Sequence, residues 1–232
     1  MAATVAEQLV EMLKNAGIRR VYDVTGDSLN FLNDALRRDG HIDWIQVRHE
    51  EVGAYAAMAE GVLGGLGCCA GSSGPGHVHL INGLYDAHRW GAPVIALAST
   101  ITSEDYGTES FQSTDLNMFD GCSHYNEVAM TPPQLPRMLQ QALQHAWSRK
   151  GVGVCAFPGD LMTCNAEEDL VWGDLYRPES VLHPSEKEIQ ALAELINTCD
   201  DIGIYAGIGC ADARAEVIEL AHVLKAPMAY TL

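Results

Sequence analysis

Short apolar runs alternate with amphipathic segments along most of this chain, and that alternation constrains the fold more than any other feature. Residues 68–71, 93–98 and 152–157 are continuous apolar runs, as expected for strands that are buried on both faces. The intervals show helical periodicity, for example over residues 77–90 and 135–147. The first two-thirds of the sequence therefore predicts a three-layer α/β domain, with a mostly parallel sheet flanked by helices.

An incomplete second α/β domain is predicted at the C-terminal end. Residues 165–183 are polar and show no sustained period, which is typical of a linker between domains. A helix, a strand at 202–206, a helix at 213–224 and the start of another strand follow. Because two parallel strands cannot form a stable core, the sequence predicts one domain at 1–180, which includes the linker, and a truncated one at 181–232.

Composition limits the possible classes of function. The chain of 232 residues is 47% hydrophobic and has a formal net charge of -17, which opposes binding to nucleic acid phosphates and to anionic lipid. No stretch has the apolar length of a membrane span, and the N-terminus lacks the basic start and apolar core of a secretory signal. We therefore expect a cytoplasmic protein that binds no nucleic acid.

A carboxylate stands where an apolar strand ends and a helix of small residues begins, in Arg48-His49-Glu50-Glu51. One interpretation is general, because the first turn of any helix favours acidic residues. However, Val47, Val52 and the alanines that follow predict a poorly solvated Glu50. Such surroundings favour the protonated form of a carboxyl group, which can then donate a proton near neutral pH. Glu50 is therefore the candidate catalytic acid.

Glycines follow two other strands of the predicted sheet. Thr25 and Gly26 come directly after the strand at 20–24, and Gly74-Pro75-Gly76 follows the run at 68–71. In open α/β sheets, ligands bind in the crevice at the carboxyl ends of the strands. We therefore expect both segments to approach a ligand, with a simple turn as the alternative for each.

The histidines give no metal-binding motif in the sequence. His77, His79 and His88 have no carboxylate or cysteine partner at metal-ligand spacing, and we expect core or surface histidines. The sequence therefore predicts no metal ligand in this chain.

Five spaced motifs resemble the pyrimidine-binding domain of thiamine diphosphate-dependent enzymes. In chain order they are Tyr22-Asp23-Val24-Thr25-Gly26-Asp27-Ser28-Leu29-Asn30, Arg48-His49-Glu50-Glu51, Gly74-Pro75-Gly76, His79-Leu80-Ile81-Asn82-Gly83-Leu84-Tyr85-Asp86 and Phe111-Gln112. The resemblance covers essentially the whole chain. It is greatest to the pyruvate oxidase branch, which includes the quinone-linked pyruvate dehydrogenases.

The resemblance implies roles for the motif residues. Glu50 would hydrogen-bond the pyrimidine ring of the cofactor. The other residues implied to bind thiamine diphosphate are Thr25, Gly26, Gly74, Pro75, Gly76 and Asn82. Asn82 has a second interpretation, since it could simply cap or pack its helix. Phe111 and Gln112 would line the substrate pocket, where this chain has Ser113 in place of the Glu that often follows in the family.

Two further cofactors are implied by the resemblance. Gly207, Gly209 and Cys210 lie between a strand and a helix start, and would bind FAD in an oxidase-like central domain, with an ordinary turn as the alternative. The family holds Mg²⁺ through Gly-Asp-Gly followed by Asn-Asn, and this chain contains neither motif. The magnesium ligands are therefore expected in a missing C-terminal domain, supplied by a second subunit of a homodimer or homotetramer.

Three functions remain open at this point. The first, which we favour, is the N-terminal part of an enzyme that oxidatively decarboxylates a 2-oxo acid, pyruvate, to acetate and carbon dioxide, with electrons passing through FAD to quinone or another acceptor. The second is an acetolactate synthase or a 2-oxo acid decarboxylase of the same family. The third is a catalytically silent binding or association module. In each case this chain alone is predicted to be inactive, and the sequence leaves open a peripheral membrane association of the full-length protein.

Overall fold

The computed structural model describes residues 3–167, 172–177 and 182–231. The chain divides into two compact units, residues 1–178 and residues 179–232. The boundary predicted between residues 180 and 181 lies outside the described residues, so the domain limits stay a prediction. Among the described residues, no helix is both long enough and apolar enough to cross a membrane.

Six parallel strands form the sheet of the first unit. They are β1 (Arg20–Asp23), β2 (Asp43–Gln46), β3 (Gly67–Gly71), β4 (Val94–Thr100), β5 (Tyr125–Val128) and β6 (Val152–Pro158). Their order across the sheet is β2-β1-β3-β4-β6-β5, and every neighbouring pair is parallel. The parallel sheet is as predicted. The edge strand β5 was not predicted, because it is only partly buried and contains no continuous apolar run.

Helices cover both faces of this sheet. They are α1 (Val5–Asn15), α2 (Asn30–Asp39), α3 (Glu50–Val62), α4 (Pro75–Val78), α5 (Ile81–Trp90) and α6 (Gln134–Arg149). The buried side chains of α1, α2 and α6 pack on one face, and those of α3 and α5 pack on the other. The predicted three-layer architecture is therefore confirmed. The segment at 77–90, which was expected to be one helix, forms parts of two, α4 and α5.

Small residues let α3 approach the sheet and α5 closely. A methyl group built on Gly53 would lie 3.0 Å from the backbone oxygen of Tyr22, and one built on Gly83 would lie 2.5 Å from Ala54 Cβ. Larger side chains at these positions would push the helices apart, because packed interiors have no spare volume. This close packing fixes the position of the N-terminus of α3, where Glu50 lies.

The chain changes direction across the sheet after β1. It pairs β1 with β2 on one side and then crosses back to place β3 on the other side of β1. Such a switch in strand order opens a crevice at the carboxyl ends of the strands, which is the usual ligand position in open α/β sheets. The segments that follow β1 and β3 form this crevice, as the sequence predicted.

Residues 172–177, part of the predicted linker, are hydrogen-bonded to α6 of the first unit. Two glutamines of α6 bind their backbone, with Gln140 contacting Gly173 N at 2.8 Å and Asp174 O at 2.9 Å. Gln144 contacts the backbone N and O of Tyr176, each at 2.9 Å. The aperiodic, polar sequence is thus held on the first unit by side-chain hydrogen bonds, which a periodicity pattern cannot reveal.

The second unit contains α7 (Glu186–Asn197), β7 (Ile204–Ala206), α8 (Arg214–Leu224) and β8 (Met228–Tyr230). The two strands are parallel neighbours. None of the residues in these four elements is buried. Helices and parallel strands alternate here, as expected from the sequence, and the truncation of this domain stays a prediction.

Candidate active site

Glu50 is the first residue of α3 and is almost completely buried, with 8% of its surface exposed. His49 precedes it as the N-cap, and its ring nitrogen Nδ1 accepts a hydrogen bond from the backbone N–H of Glu51 at 3.3 Å. This contact satisfies one of the N–H groups that every helix leaves unpaired at its start. The poorly solvated position expected for Glu50 is therefore what the fold provides.

The two carboxylate oxygens of Glu50 have different surroundings. Oε2 lies 3.1 Å from Nδ1 of His79, in the short connection between α4 and α5. Oε1 faces Gly76, since a methyl group built on that glycine would lie 3.5 Å from it. One oxygen is therefore held by an imidazole, while the other lies beside a residue without a side chain.

His79 is a surface histidine, as expected, but the fold gives it a carboxylate partner that its sequence neighbours do not provide. The residue lies 29 positions after Glu50, and only the fold brings the two together. Its ring also stacks on that of His49, with 4.3 Å between the ring centroids. Ligand-type atoms of His49, Glu50 and His79 all lie within 4.8 Å of one another. These three side chains form a group that could hold a metal ion, which sequence spacing did not reveal because only the fold brings Glu50 and His79 together. The expectation of no metal ligand in this chain stays a prediction.

His77 and His88 agree with the expectation for core or surface histidines. His77 is fully buried and pairs Nδ1 with the backbone oxygen of Ser99 at 2.9 Å and Nε2 with the hydroxyl of Thr114. Burial lowers the pKa of His77, which keeps its ring neutral. Burial and the neighbouring His124 also lower the pKa of His88.

Serines join the two segments that form the crevice. Ser28 Oγ lies 2.8 Å from Ser72 Oγ and accepts a hydrogen bond from the backbone N–H of Ser73 at 2.9 Å. A methyl group built on Gly26 would lie 2.3 Å from Ser72 Cβ, so only glycine fits there. Thr25 is exposed at the same edge. The sequence identified Thr25 and Gly26 but not these serines, whose partners lie more than 40 residues away.

Gln112 lies against the Gly74-Pro75-Gly76 segment. Gly74 has a φ of 72°, and a methyl group built on it would lie 2.9 Å from Gln112 Cβ. Gln112 also has a positive φ of 71°, and its Oε1 accepts a hydrogen bond from Ser73 Oγ at 3.1 Å. It borders an open cavity of about 310 Å³, whereas Phe111 is 88% exposed and does not line it. The structure thus brings Gln112, but not Phe111, to the cavity.

Asn82 lies near the candidate acid without contacting it. Its side-chain N–H donates to Glu51 Oε1 at 3.2 Å, and the residue is exposed at the start of α5. The interpretation of Asn82 as a packing residue is therefore not supported by burial. A role in cofactor binding stays a prediction.

Gly207, Gly209 and Cys210 lie between β7 and α8, as the sequence indicated. Gly207 caps a 3₁₀ helix at Ile208–Ala213 that precedes α8. Among the described residues, a methyl group built on Gly209 would meet nothing within 4 Å beyond its own chain neighbours. The backbone of this segment is therefore open to approach, and its role in FAD binding stays a prediction.

Asp23 is a buried acid that the motif search did not identify. It is fully buried at the end of β1, and among the described residues no hydrogen bond of good geometry reaches either carboxylate oxygen, the Val24 amide being the nearby donor. Burial raises the pKa of Asp23 to about 9, and the charge of Glu50 adds to this, while the Val24 amide opposes it. Asp23 is therefore neutral at pH 7. The sequence did contain a signal for the burial of Asp23. Alternate residues of a strand share a face, and Asp23 lies two residues after the apolar Val21.

A known protein family matches the part of the chain that contains this crevice. The model of the thiamine pyrophosphate enzyme family, N-terminal TPP binding domain, matches residues 3–119. The chain belongs to this family. The matched region contains the crevice, Glu50 and the glycine segments, so the cofactor class expected from the motifs is confirmed.

Individual relatives cover nearly the whole chain. A Bacillus subtilis protein named as thiamine pyrophosphate-containing, YdaP, is 37% identical over 99% of this chain and 40% of its own length. The pyruvate oxidase of Lactiplantibacillus plantarum is 34% identical over 96% of this chain and 38% of its own length. The chloroplastic acetolactate synthase of Arabidopsis thaliana is 27% identical over 98% of this chain and 35% of its own length. The chain thus spans only about two-fifths of these relatives.

Proposed function

We propose that this chain forms the pyrimidine-binding side of a thiamine diphosphate site, in an enzyme that oxidatively decarboxylates pyruvate to acetate and carbon dioxide. The observation that carries the proposal is the position of Glu50. This carboxyl group is almost completely buried, lies at the crevice of a parallel sheet, and has one oxygen beside a glycine. Such a group fits a planar ring nitrogen that must receive a hydrogen bond.

Different residues of the crevice would bind the cofactor, hydrogen-bond its pyrimidine ring and border the substrate cavity. When bound, thiamine diphosphate supplies the carbon nucleophile and stores the electron pair released by decarboxylation. On this proposal, the Glu50 oxygen that faces Gly76 would form the hydrogen bond to the pyrimidine ring. His79 fixes the other oxygen at 3.1 Å and so orients the carboxyl group. Gly74 and Gly76 allow backbone to approach the ligand, and Gln112 borders the cavity for the 2-oxo acid.

The oxidase assignment within the family is supported by two observations. The relative named pyruvate oxidase is 34% identical along 96% of this chain. The exposed Gly207 and Gly209 leave backbone free for a flavin diphosphate. On this proposal FAD accepts the electrons, Mg²⁺ is held by ligands outside this chain, and the active enzyme is a cytoplasmic homo-oligomer.

A second candidate function is that of an acetolactate synthase, which the Arabidopsis relative favours. Incubation of the full-length protein with pyruvate, thiamine diphosphate, Mg²⁺ and an artificial electron acceptor separates the two. Acetate formation together with flavin absorbance is expected for the oxidase. Acetolactate or acetaldehyde without reduction of the acceptor would replace the oxidase proposal by the synthase or a decarboxylase.

The role of Glu50 is tested by Glu50→Gln in the full-length protein. We expect turnover to fall by roughly 10²–10⁴-fold, because glutamine keeps the shape but cannot transfer the proton. Exchange of the thiazolium C2 proton, followed by NMR, should slow in parallel. Glu51→Gln is the matched control, since it changes the neighbouring carboxylate, which contacts Asn82 and not His79.

Circular dichroism shows whether both variants keep the fold. The assignment of Glu50 would be refuted by C2 proton exchange as fast in Glu50→Gln as in the unchanged protein. It would also be refuted if Glu51→Gln slowed the exchange by the same factor.

A further inference from the structure

Three side chains of metal-ligand type converge at the N-terminus of α3. They are His49, Glu50 and His79, whose potential ligand atoms all lie within 4.8 Å of one another. Two imidazoles and one carboxylate form a donor set that suits Zn²⁺ better than Mg²⁺ or Ca²⁺, which prefer oxygen ligands. We propose that this cluster is a binding site for Zn²⁺, separate in chemistry from any magnesium bound through a diphosphate.

The spacing of the first two ligands already fits one metal ion. Glu50 Oε2 and His79 Nδ1 are 3.1 Å apart. Zinc binds carboxylate oxygen and imidazole nitrogen at about 2.0–2.2 Å, which places two tetrahedral ligand atoms roughly 3.3 Å apart. An ion can therefore replace the hydrogen bond between these two atoms without moving either helix.

The third ligand requires a rotation of the His49 side chain, which gives up the 3.3 Å hydrogen bond that its Nδ1 accepts from the Glu51 N–H. The His49 ring is stacked on the His79 ring with a centroid separation of 4.3 Å and an interplanar angle of 23°. To point a nitrogen at the same ion, the ring must turn out of this stack. Its side chain is 44% exposed, and that of His79 is 43% exposed, so both rings have room to move and are accessible to an ion.

The charge around the cluster favours a cation despite the helix dipole. The N-terminus of a helix acts as about half of a positive charge, which opposes a metal ion. Two carboxylates outweigh it, because Glu50 is a ligand and Glu51 Oε2 lies 3.7 Å from His49 Nδ1.

The site has a consequence that rests on the proposed function. A Zn²⁺ ion on Glu50 would hold this carboxylate in its ionised form and occupy the oxygen that His79 now contacts. The ion and the pyrimidine of thiamine diphosphate would therefore exclude each other. Zinc binding itself does not depend on that proposal.

The test is a zinc titration of this chain in competition with a chromophoric chelator at neutral pH. We expect a dissociation constant in the micromolar range. His79→Gln, Glu50→Gln and His49→Asn should each weaken binding by at least about tenfold, as loss of a ligand does at other metal sites. Asparagine is chosen at position 49 because it preserves an N-cap. The control is His41→Gln, since His41 is exposed and lies 3.2 Å from a single carboxylate, Asp39.

Binding through cysteine is distinguished with Co²⁺ as the probe. Cys164 and Cys199 are exposed free thiols, and a cobalt–thiolate bond gives a charge-transfer absorption that imidazole and carboxylate ligands do not give. The proposal predicts cobalt binding without that absorption. A thiolate absorption, or zinc affinity unchanged in all three ligand variants, would overturn it. Failure of zinc to bind, with turnover still lost in full-length Glu50→Gln, would remove the metal site and leave the proposed function standing.

Discussion

At the scale of the residue, Asp23 should make the free energy of unfolding depend on pH. The pKa of its buried carboxyl group is raised to about 9 in the folded chain, against about 3.9 when unfolded. Between these values the folded state holds one more proton, so this contribution to stability is complete below pH 4 and is lost as the pH rises through 9. We expect Asp23→Asn to remove a slope of up to about 1.4 kcal/mol per pH unit from the free energy of unfolding.

Urea unfolding between pH 5 and pH 9 measures that slope. Asparagine is also polar and would be buried at the same place, so the variant's stability at a single pH is not informative. The pH dependence of the free energy of unfolding tests whether Asp23 is protonated in the folded chain. Asp43→Asn, at the exposed start of β2, should leave the slope unchanged. Parallel pH curves for Asp23→Asn and the unchanged chain would show that Asp23 is ionised in the folded state.

Individual residues also show where sequence reasoning succeeds. Glu50 and Gly76 could be placed in one crevice from their positions at strand ends, because parallel strands align their carboxyl ends. The contact of Glu50 with His79 could not be predicted, since it depends on how closely α3 and α5 approach. The burial of Asp23 could not be predicted with certainty, since a charged residue at the end of a strand is usually exposed.

At the scale of the element, continuous apolar runs predicted the central strands well, and weaker patterns failed. β3, β4 and β6 are buried along their whole lengths, as their sequences indicated. The break between α4 and α5 was missed because periodicity continues across it. Edge strand β5 was missed because its YNEV sequence, with a half-buried pattern, resembles a loop.

The close contact between α3 and α5 should make the stability of the fold sensitive to a single methyl group. Gly83→Ala places a methyl group 2.5 Å from Ala54 Cβ and 2.9 Å from the Tyr55 backbone nitrogen, which should cost about 1–3 kcal/mol of stability. Ala54→Gly alone should cost about 1 kcal/mol as a glycine within a helix. Ala54→Gly removes the 2.5 Å contact with Ala54 Cβ and leaves the backbone contact with Tyr55. The double variant should therefore lose less stability than the sum of the two single costs, by at least about 0.5 kcal/mol.

Thermal unfolding of the four proteins completes this cycle. Simple additivity of the two costs would mean that the helices separate to accept the methyl group. In that case the close packing does not fix the position of Glu50.

At the scale of the whole molecule, the proposed function assigns one side of a thiamine diphosphate site to this chain. It has Glu50 and the glycine segments, but neither Gly-Asp-Gly nor Asn-Asn for the metal that holds a diphosphate. We expect calorimetric titration with thiamine diphosphate and Mg²⁺ to show weak binding, because each pyrimidine hydrogen bond contributes only about 0.5–1.5 kcal/mol net. No carbon dioxide should be released from pyruvate. Micromolar binding or turnover by this chain would show that it contains the complete site.

The start of α1 is attached to a segment far along the chain, and this has a consequence for synthesis. Val5 N donates to Cys164 O at 2.9 Å, and Ala166 N donates to Ala3 O at 2.8 Å. The first helix therefore cannot dock fully until residue 166 has left the ribosome. At about 5–20 residues per second, the apolar face of α1 waits for roughly 8–30 s. Over that interval it is a natural target for chaperones that bind exposed apolar helices on nascent chains.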